Sequence, residues 1–111
     1  MSADPIDDGL HALAHRGRRT MLRLVQEEER TSSDLADAAG LTRSAASQHL
    51  RILRDAGLVH VRVDANRRLY TADLQRLGSL RAALDDFWSD RLGELKRVVE
   101  ASAPKRRRRV G

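Results

Sequence analysis

Between Thr31 and Tyr70 two short helical runs, closed by Gly40 and Gly57, are followed by alternating valines and a charged turn. Thr31 and Asp34 have the [ST]-x-x-[DE] spacing of a capping box, in which side-chain oxygens satisfy the unpaired N–H groups at a helix start. The helix expected there sends Leu35, Ala38 and Ala39 to the core and stops at Gly40, which takes a left-handed conformation without steric cost. Thr42 caps the next helix, where Ala46, Leu50 and Leu53 make an apolar stripe and Ser44, Ser47, Gln48 and Arg51 a polar one. After Gly57, Val59, Val61 and Val63 alternate with His60 and Arg62. The turn Asp64-Ala65-Asn66-Arg67 then reverses the chain, and Leu69 and Tyr70 lie on the returning strand.

Helix, glycine turn, helix and hairpin in this order predict a winged helix-turn-helix, mostly α with a small β-hairpin wing. Before it, Ile6, Leu10, Leu13 and Ala14 keep helical spacing, Gly17 interrupts, and Met21, Leu22, Leu24 and Val25 resume, so two helices precede the acidic run at 27–29. From about Asp73, Leu77, Leu80, Leu84, Phe87, Trp88, Leu92, Leu95, Val98 and Val99 hold a three-four spacing that predicts one long helix. It carries more apolar surface than one small domain uses. The expected consequence is a homodimer formed by the N- and C-terminal helices, with Leu10, Leu77, Leu80, Leu84, Phe87, Trp88, Leu92 and Leu95 at the interface. One domain, residues 1–104, and a disordered basic tail, 105–111, complete the expected organisation.

Net charge sharpens the reading only through its distribution. The total is +5, but Lys105, Arg106, Arg107, Arg108 and Arg109 supply all of it, so residues 1–104 sum to zero. From Thr42 to Arg68, six arginines face Asp55 and Asp64, a local +4 on the elements that would meet a nucleic acid. No cysteine is present, which excludes disulfides and thiolate metal sites. With no long apolar run and no secretory pattern at the acidic start, a cytoplasmic protein without membrane contact is expected.

The polar face of the second helix has the groups to read base edges of double-stranded DNA. Gln48 matches adenine and Arg43 guanine, with Ser44 and Ser47 beside them in the first two turns. Arg51 and Arg54 suit phosphates, Thr42 serves as a cap beside a phosphate, and Asn66, Arg67 and Arg68 at the hairpin tip suit the backbone or minor groove. Taken alone, each of these is an ordinary solvated polar face; the capped turn and ribbon around them favour DNA. His49, between the two faces, is assigned a structural hydrogen bond. Asp8, His11 and His15 share a helix face but supply too few ligands for a metal, so no metal or other cofactor is assigned. Phe87 and Trp88 are assigned to the interface ahead of an effector pocket, and the tail to phosphate contacts or solubility equally.

The segments LAHRGRRTMLRLV, SAASQHLRILRDAGLV and VRVDANRRLYTA together resemble the ArsR/SmtB family of small dimeric bacterial repressors over roughly residues 7–101. The pieces that carry the resemblance are Ser47, His49 and Leu50, the helix exit at Leu53, Gly57, Leu58 and Val59, and Arg67, Arg68 and Tyr70 on the ribbon. Metal-sensing members have an E-L-C-V-C-D-L segment; here Thr31 and Ser33 stand where the thiols would be, which removes the soft-metal cage. A second family site pairs aspartate with histidine in the last helix. This chain has Asp85, Asp86 and Asp90 there but no histidine after His60. The resemblance therefore implies the non-metal branch, repressing a promoter, its own among the candidates, until a partner protein or other signal relieves it. Asn66 stands where the family's turn commonly has glycine, an expected site of positive φ.

The leading expectation is thus a sequence-specific homodimeric repressor on a pseudo-palindromic operator. Two other classes fit parts of the chain: a nonspecific nucleoid-associated DNA-coating protein and a winged-helix protein-interaction module. An enzyme is not expected, because no nucleophile, base and orienting group form a constellation.

Overall fold

The computed structural model describes residues 5–102. Its elements are α1 (Pro5–Leu13), α2 (Arg16–Glu27), β1 (Arg30–Thr31), α3 (Ser32–Ala39), α4 (Arg43–Asp55), β2 (Val59–Asp64), β3 (Arg67–Ala72) and α5 (Leu74–Ser102). The expected basic tail lies outside the described residues. The break between α1 and α2 falls at Ala14 and His15 and not at Gly17, which is inside α2; His15 is the cap, its Nδ1 accepting from the Gly17 N–H at 2.9 Å.

Both helices of the central pair start and stop as their side chains dictate. Thr31 Oγ1 accepts from the Asp34 N–H at 3.1 Å and Thr42 Oγ1 from the Ala45 N–H at 3.0 Å. Gly40 sits at φ 68°, letting the Leu41 N–H reach back to the Ala36 carbonyl at 2.9 Å, and the same closure recurs where Leu58 N–H meets the Leu53 carbonyl at 2.9 Å. Asp73 begins α5: its carboxylate accepts from the Arg76 N–H at 2.9 Å, while its own N–H donates to the Leu58 carbonyl at 2.8 Å. The exit of α4 and the entry of α5 are thereby fixed to each other.

Met21, Leu35, Leu50, Leu53 and Leu58 are the largest fully buried side chains, so the core lies where α2, α3 and α4 converge. In α3 the buried pair is Leu35 and Ala36; Ala39 is half-buried and Ala38 is exposed, a correction to the expected stripe. With only eight residues, α3 is positioned by its neighbours, and one shift around its axis exchanges Ala38 for Ala36. Leu10 is also exposed, and Ala12 takes the buried place on α1.

The ribbon is a three-stranded antiparallel sheet in the order β1-β3-β2. Val61 pairs with Tyr70 and Arg62 with Leu69, while Thr31 pairs with Leu69 from the other edge. The two-residue β1 was not expected, and it makes β3 central. That explains why consecutive residues Leu69 and Tyr70 are both buried: Tyr70 faces the core, and Leu69 shares its face with Arg62 and Thr31, whose side chains flank it. Val59 is buried, Val61 half-buried and Val63 exposed, as the hairpin leaves the core. Positive φ in the turn falls on Ala65, at 58°, and not on Asn66.

Twenty-nine residues of α5 span about 43 Å at the usual helical rise. The first turns pack on α1, where Leu80 lies so close to Gly9 that a Cβ there would stand 2.6 Å from a leucine methyl. Leu77 and Leu84 are half-buried against the core, but from Phe87 onward the apolar residues of α5 are all about half exposed or more. The molecule measures 66 × 39 × 21 Å.

Candidate nucleic-acid interface

Helix α4 divides as its sequence demands. Ala46, Leu50 and Leu53 are buried, and Arg43, Ser44, Ser47, Gln48, Arg51 and Arg54 are exposed along with Thr42 at the cap. The core contact fixes the rotation of the helix, so the polar stripe faces solvent as a unit. Asn66, Arg67 and Arg68 are exposed at the wing tip.

Strand register carries these two groups toward each other. Arg68 shares its face with Tyr70, the core side of the hairpin, and so points back toward α4. There a cleft of about 290 Å³ is lined by Ser47, Arg51 and Arg54 from α4, Arg68 and Tyr70 from β3, and Ser32 from the start of α3. A second cleft, about 420 Å³, lies beside the wing tip between Thr31, Ser32 and Ser33 and the side chains of Asn66, Arg67 and Arg68. The two share Ser32 and Arg68, and among the described residues no acid lines either one. Arginines, hydroxyls and the N-terminal turn of α3 make this a track suited to consecutive phosphates. Ser32 and Ser33 were not among the expected site residues; the capping box marked their helix start but not its apposition to the wing.

Not every arginine in the basic segment is free. Arg62 binds the Glu29 carboxylate through two bonds, Nε at 2.6 Å and Nη2 at 2.8 Å. That fork holds the Glu29 carboxyl below the usual carboxylate range, chiefly through the hydrogen bond, and holds Arg62 protonated in return. It also pins the base of the wing to the α2–β1 connection. Arg67 is 3.6 Å from Asp64. Arg43, Arg51, Arg54 and Arg68 form no ion pair among the described residues, and they are the cations left for a polyanion.

His49 makes the structural contact expected of it, with its Nδ1 3.1 Å from Arg18 Nη1. His15, its ring centroid 4.3 Å from that of His49 and tilted 42° to it, is occupied at the cap of α2, so it does not join Asp8 and His11. Among the described residues no group of three or more histidine, cysteine, aspartate or glutamate side chains is placed to hold a metal ion. No described helix is long and apolar enough to cross a membrane.

A capped helix pair, an exposed polar helix and a three-stranded wing with a shared basic cleft define a winged helix-turn-helix protein. Residues 15–61 match the model for bacterial regulatory proteins of the arsR family. The chain is 33% identical over 95 residues to the HTH-type transcriptional regulator Rv2034 of Mycobacterium tuberculosis, covering 86% of this chain and 89% of the relative. A crystal structure described as a possible transcriptional regulator for arsenical resistance is 42% identical and superposes with a TM-score of 0.69, covering 87% of this chain and 98% of that one. The homodimeric winged helix-turn-helix DNA-binding domain of Mb0332 from Mycobacterium bovis is 27% identical with a TM-score of 0.65, over 82% of this chain and 84% of that one. This chain belongs to the ArsR family and is a transcriptional regulator of the winged helix-turn-helix class.

Proposed function

We propose that the protein is a homodimeric repressor whose two α4 helices enter successive major grooves of a pseudo-palindromic operator, with half-sites about 34–36 Å apart. The observation that carries this reading is the unpaired arginine set around Gln48 on α4, continued by Arg68 into a cleft without acids. Thr42, Arg43, Ser44, Ser47 and Gln48 approach the bases and the phosphates beside them. Arg51, Arg54, Arg68 and Ser32 hold the backbone, and Asn66 and Arg67 reach from the wing tip.

The same reading assigns dimerisation to α1 and α5. Phe87, Trp88, Leu92 and Leu95 expose 46 to 56% of their surface on a single chain, a cost that a second copy removes. Leu10, exposed on α1, and the half-buried Leu77 and Leu84 extend the seam, whereas Leu80 is already buried within its own chain and contributes little to it. The homodimeric state of the Mb0332 domain supports dimerisation as such.

Thr31 and Ser33 in place of thiols, and a last helix without histidine, support a reading of the protein as a non-metal-sensing member of the family. Its work is in the cytoplasm, on a promoter that includes its own among the candidates. DNase footprinting on its upstream region tests the proposal. Two protected half-sites about one helical turn apart are expected; unbroken protection along the fragment would contradict an operator and indicate a coating protein.

A further inference from the structure

Arg18 of α2 is 7% exposed, and all its bonds go to neutral acceptors. Nε donates to the Ala12 carbonyl at 2.6 Å and Nη2 to the His11 carbonyl at 3.0 Å, while Nη1 lies 3.1 Å from His49 Nδ1. A guanidinium has donors only, so His49 Nδ1 is the acceptor and the neutral ring carries its proton on Nε2. The carbonyls of His11 and Ala12 belong to the last turn of α1, where a cation is favoured, and the His11 carbonyl also accepts from the Ala14 N–H at 3.2 Å. One side chain therefore joins the end of α1 to the middle of α4.

We propose that Arg18 and His49 form a proton-sensitive latch that positions α4 on the α1–α2 frame, and that DNA binding requires the latch closed. This rests on the DNA-binding reading above. Arg18 is a positioning residue here: buried behind α4, it acts on DNA only through His49. A proton on His49 Nδ1 would set donor against donor and place a positive ring beside the guanidinium. The groups facing His49 are Arg18 from α2 and His15 from the α1–α2 turn, and neither is an acid. His15 lies against the same ring, tilted 42° to it, and through its Nδ1 holds the N-terminus of α2. Burial first, then His15 and Arg18, keep the His49 pKa below its ordinary value.

The sign of the effect separates the latch from general electrostatics. Positive charge added to a DNA-facing surface strengthens attraction to phosphate. Opening the latch weakens binding instead. The test compares wild type with His49→Gln, whose amide oxygen offers an acceptor that does not titrate, on a promoter duplex from about pH 8 to about pH 5.5. Wild-type affinity is expected to fall as His49 takes up its proton, by up to about a hundredfold per pH unit for a dimer that needs both latches closed, while circular dichroism stays folded. His49→Gln should hold its affinity or tighten over the same range. Arg18→Ala leaves acceptors on two helices without their donor and risks the fold, so the glutamine variant carries the test. Matching pH profiles for the two proteins, or a wild-type loss that coincides with unfolding, would overturn the latch alone. Failure of both proteins to bind DNA at pH 8 would defeat the DNA-binding reading itself, and the latch with it.

Discussion

In the proposed complex, Gln48 and Arg68 divide the work of recognition between base and backbone. Gln48 stands on the exposed stripe of α4 with the donor and acceptor pair that matches adenine, whereas Arg68 lines a cleft shaped for backbone. Gln48→Ala is expected to cost about 1–3 kcal/mol at one base position and relax discrimination there, read by competition with single-base operator variants. Arg68→Ala should weaken all sequences alike and lower the slope of log affinity against log salt by about 1. Thr42 has a second role that its exposure conceals, because its hydroxyl caps α4. Thr42→Ala should therefore lower unfolding free energy by about 1 kcal/mol in denaturant titrations, and Thr42→Ser should restore it. His49 contributes a pH-dependent part of the stability. Its folded pKa lies below the ordinary 6.5, so the unfolded chain takes up the proton first, and stability present above that value is lost as pH falls beneath it.

At the scale of elements, the wing depends on a contact far from its tip. The Glu29 fork on Arg62 flanks Leu69 and ties β2 to the segment entering β1, so the clamp fixes the hairpin that presents Arg68. Glu29→Gln should speed amide exchange along β2 and β3 and weaken DNA binding a few-fold with sequence preference unchanged. Because Arg62 depresses the Glu29 pKa, the clamp is complete above the ordinary 4.5 and is lost as pH falls through the lower folded value. The helix-turn-helix was legible in sequence because its signals are local: Thr31, Gly40, Thr42 and Gly57 each act within a few residues. What escaped notice was nonlocal. Arg30 and Thr31 form a strand only because Tyr70 and Leu69 lie opposite, and Ser32 reaches the basic cleft only through the wing's return. Positive φ at Ala65 in place of Asn66 reflects a hairpin whose pairing from Asp64 to Arg67 sets the turn more firmly than residue preference does.

For the whole molecule, the distal half of α5 is the least satisfied region in a single chain. The stripe from Phe87 to Val99 was visible as a three-four pattern, yet sequence could not divide it. Gly9 admits Leu80 into the chain's own core, and Leu77 and Leu84 are partly used there. Leu84→Asp would consequently damage fold and assembly together. Leu92→Asp is the sharper probe, since Leu92 is 55% exposed and an aspartate there is tolerated in one chain but buried in a dimer. It should convert dimer to folded monomer in sedimentation velocity; a dimer that persists would exclude the α5 seam. Charge distribution belongs to this scale as well. With Arg62 held by Glu29, the basic surface comprises Arg43, Arg51, Arg54 and Arg68, on the same side of the molecule as the exposed stripe of α4, and Arg67, exposed beside Asp64 at the wing tip.

Sequence-specific DNA binding is the claim on which the rest depends, and fluorescence anisotropy tests it directly. The full-length protein is titrated into its own upstream duplex and into a scrambled duplex of equal length, from low to physiological salt. Preference for the upstream duplex that survives added salt is the predicted result, since base-edge contacts from α4 persist when counterion release no longer favours phosphate binding. Equal affinity for both duplexes, vanishing together as salt rises, would contradict it.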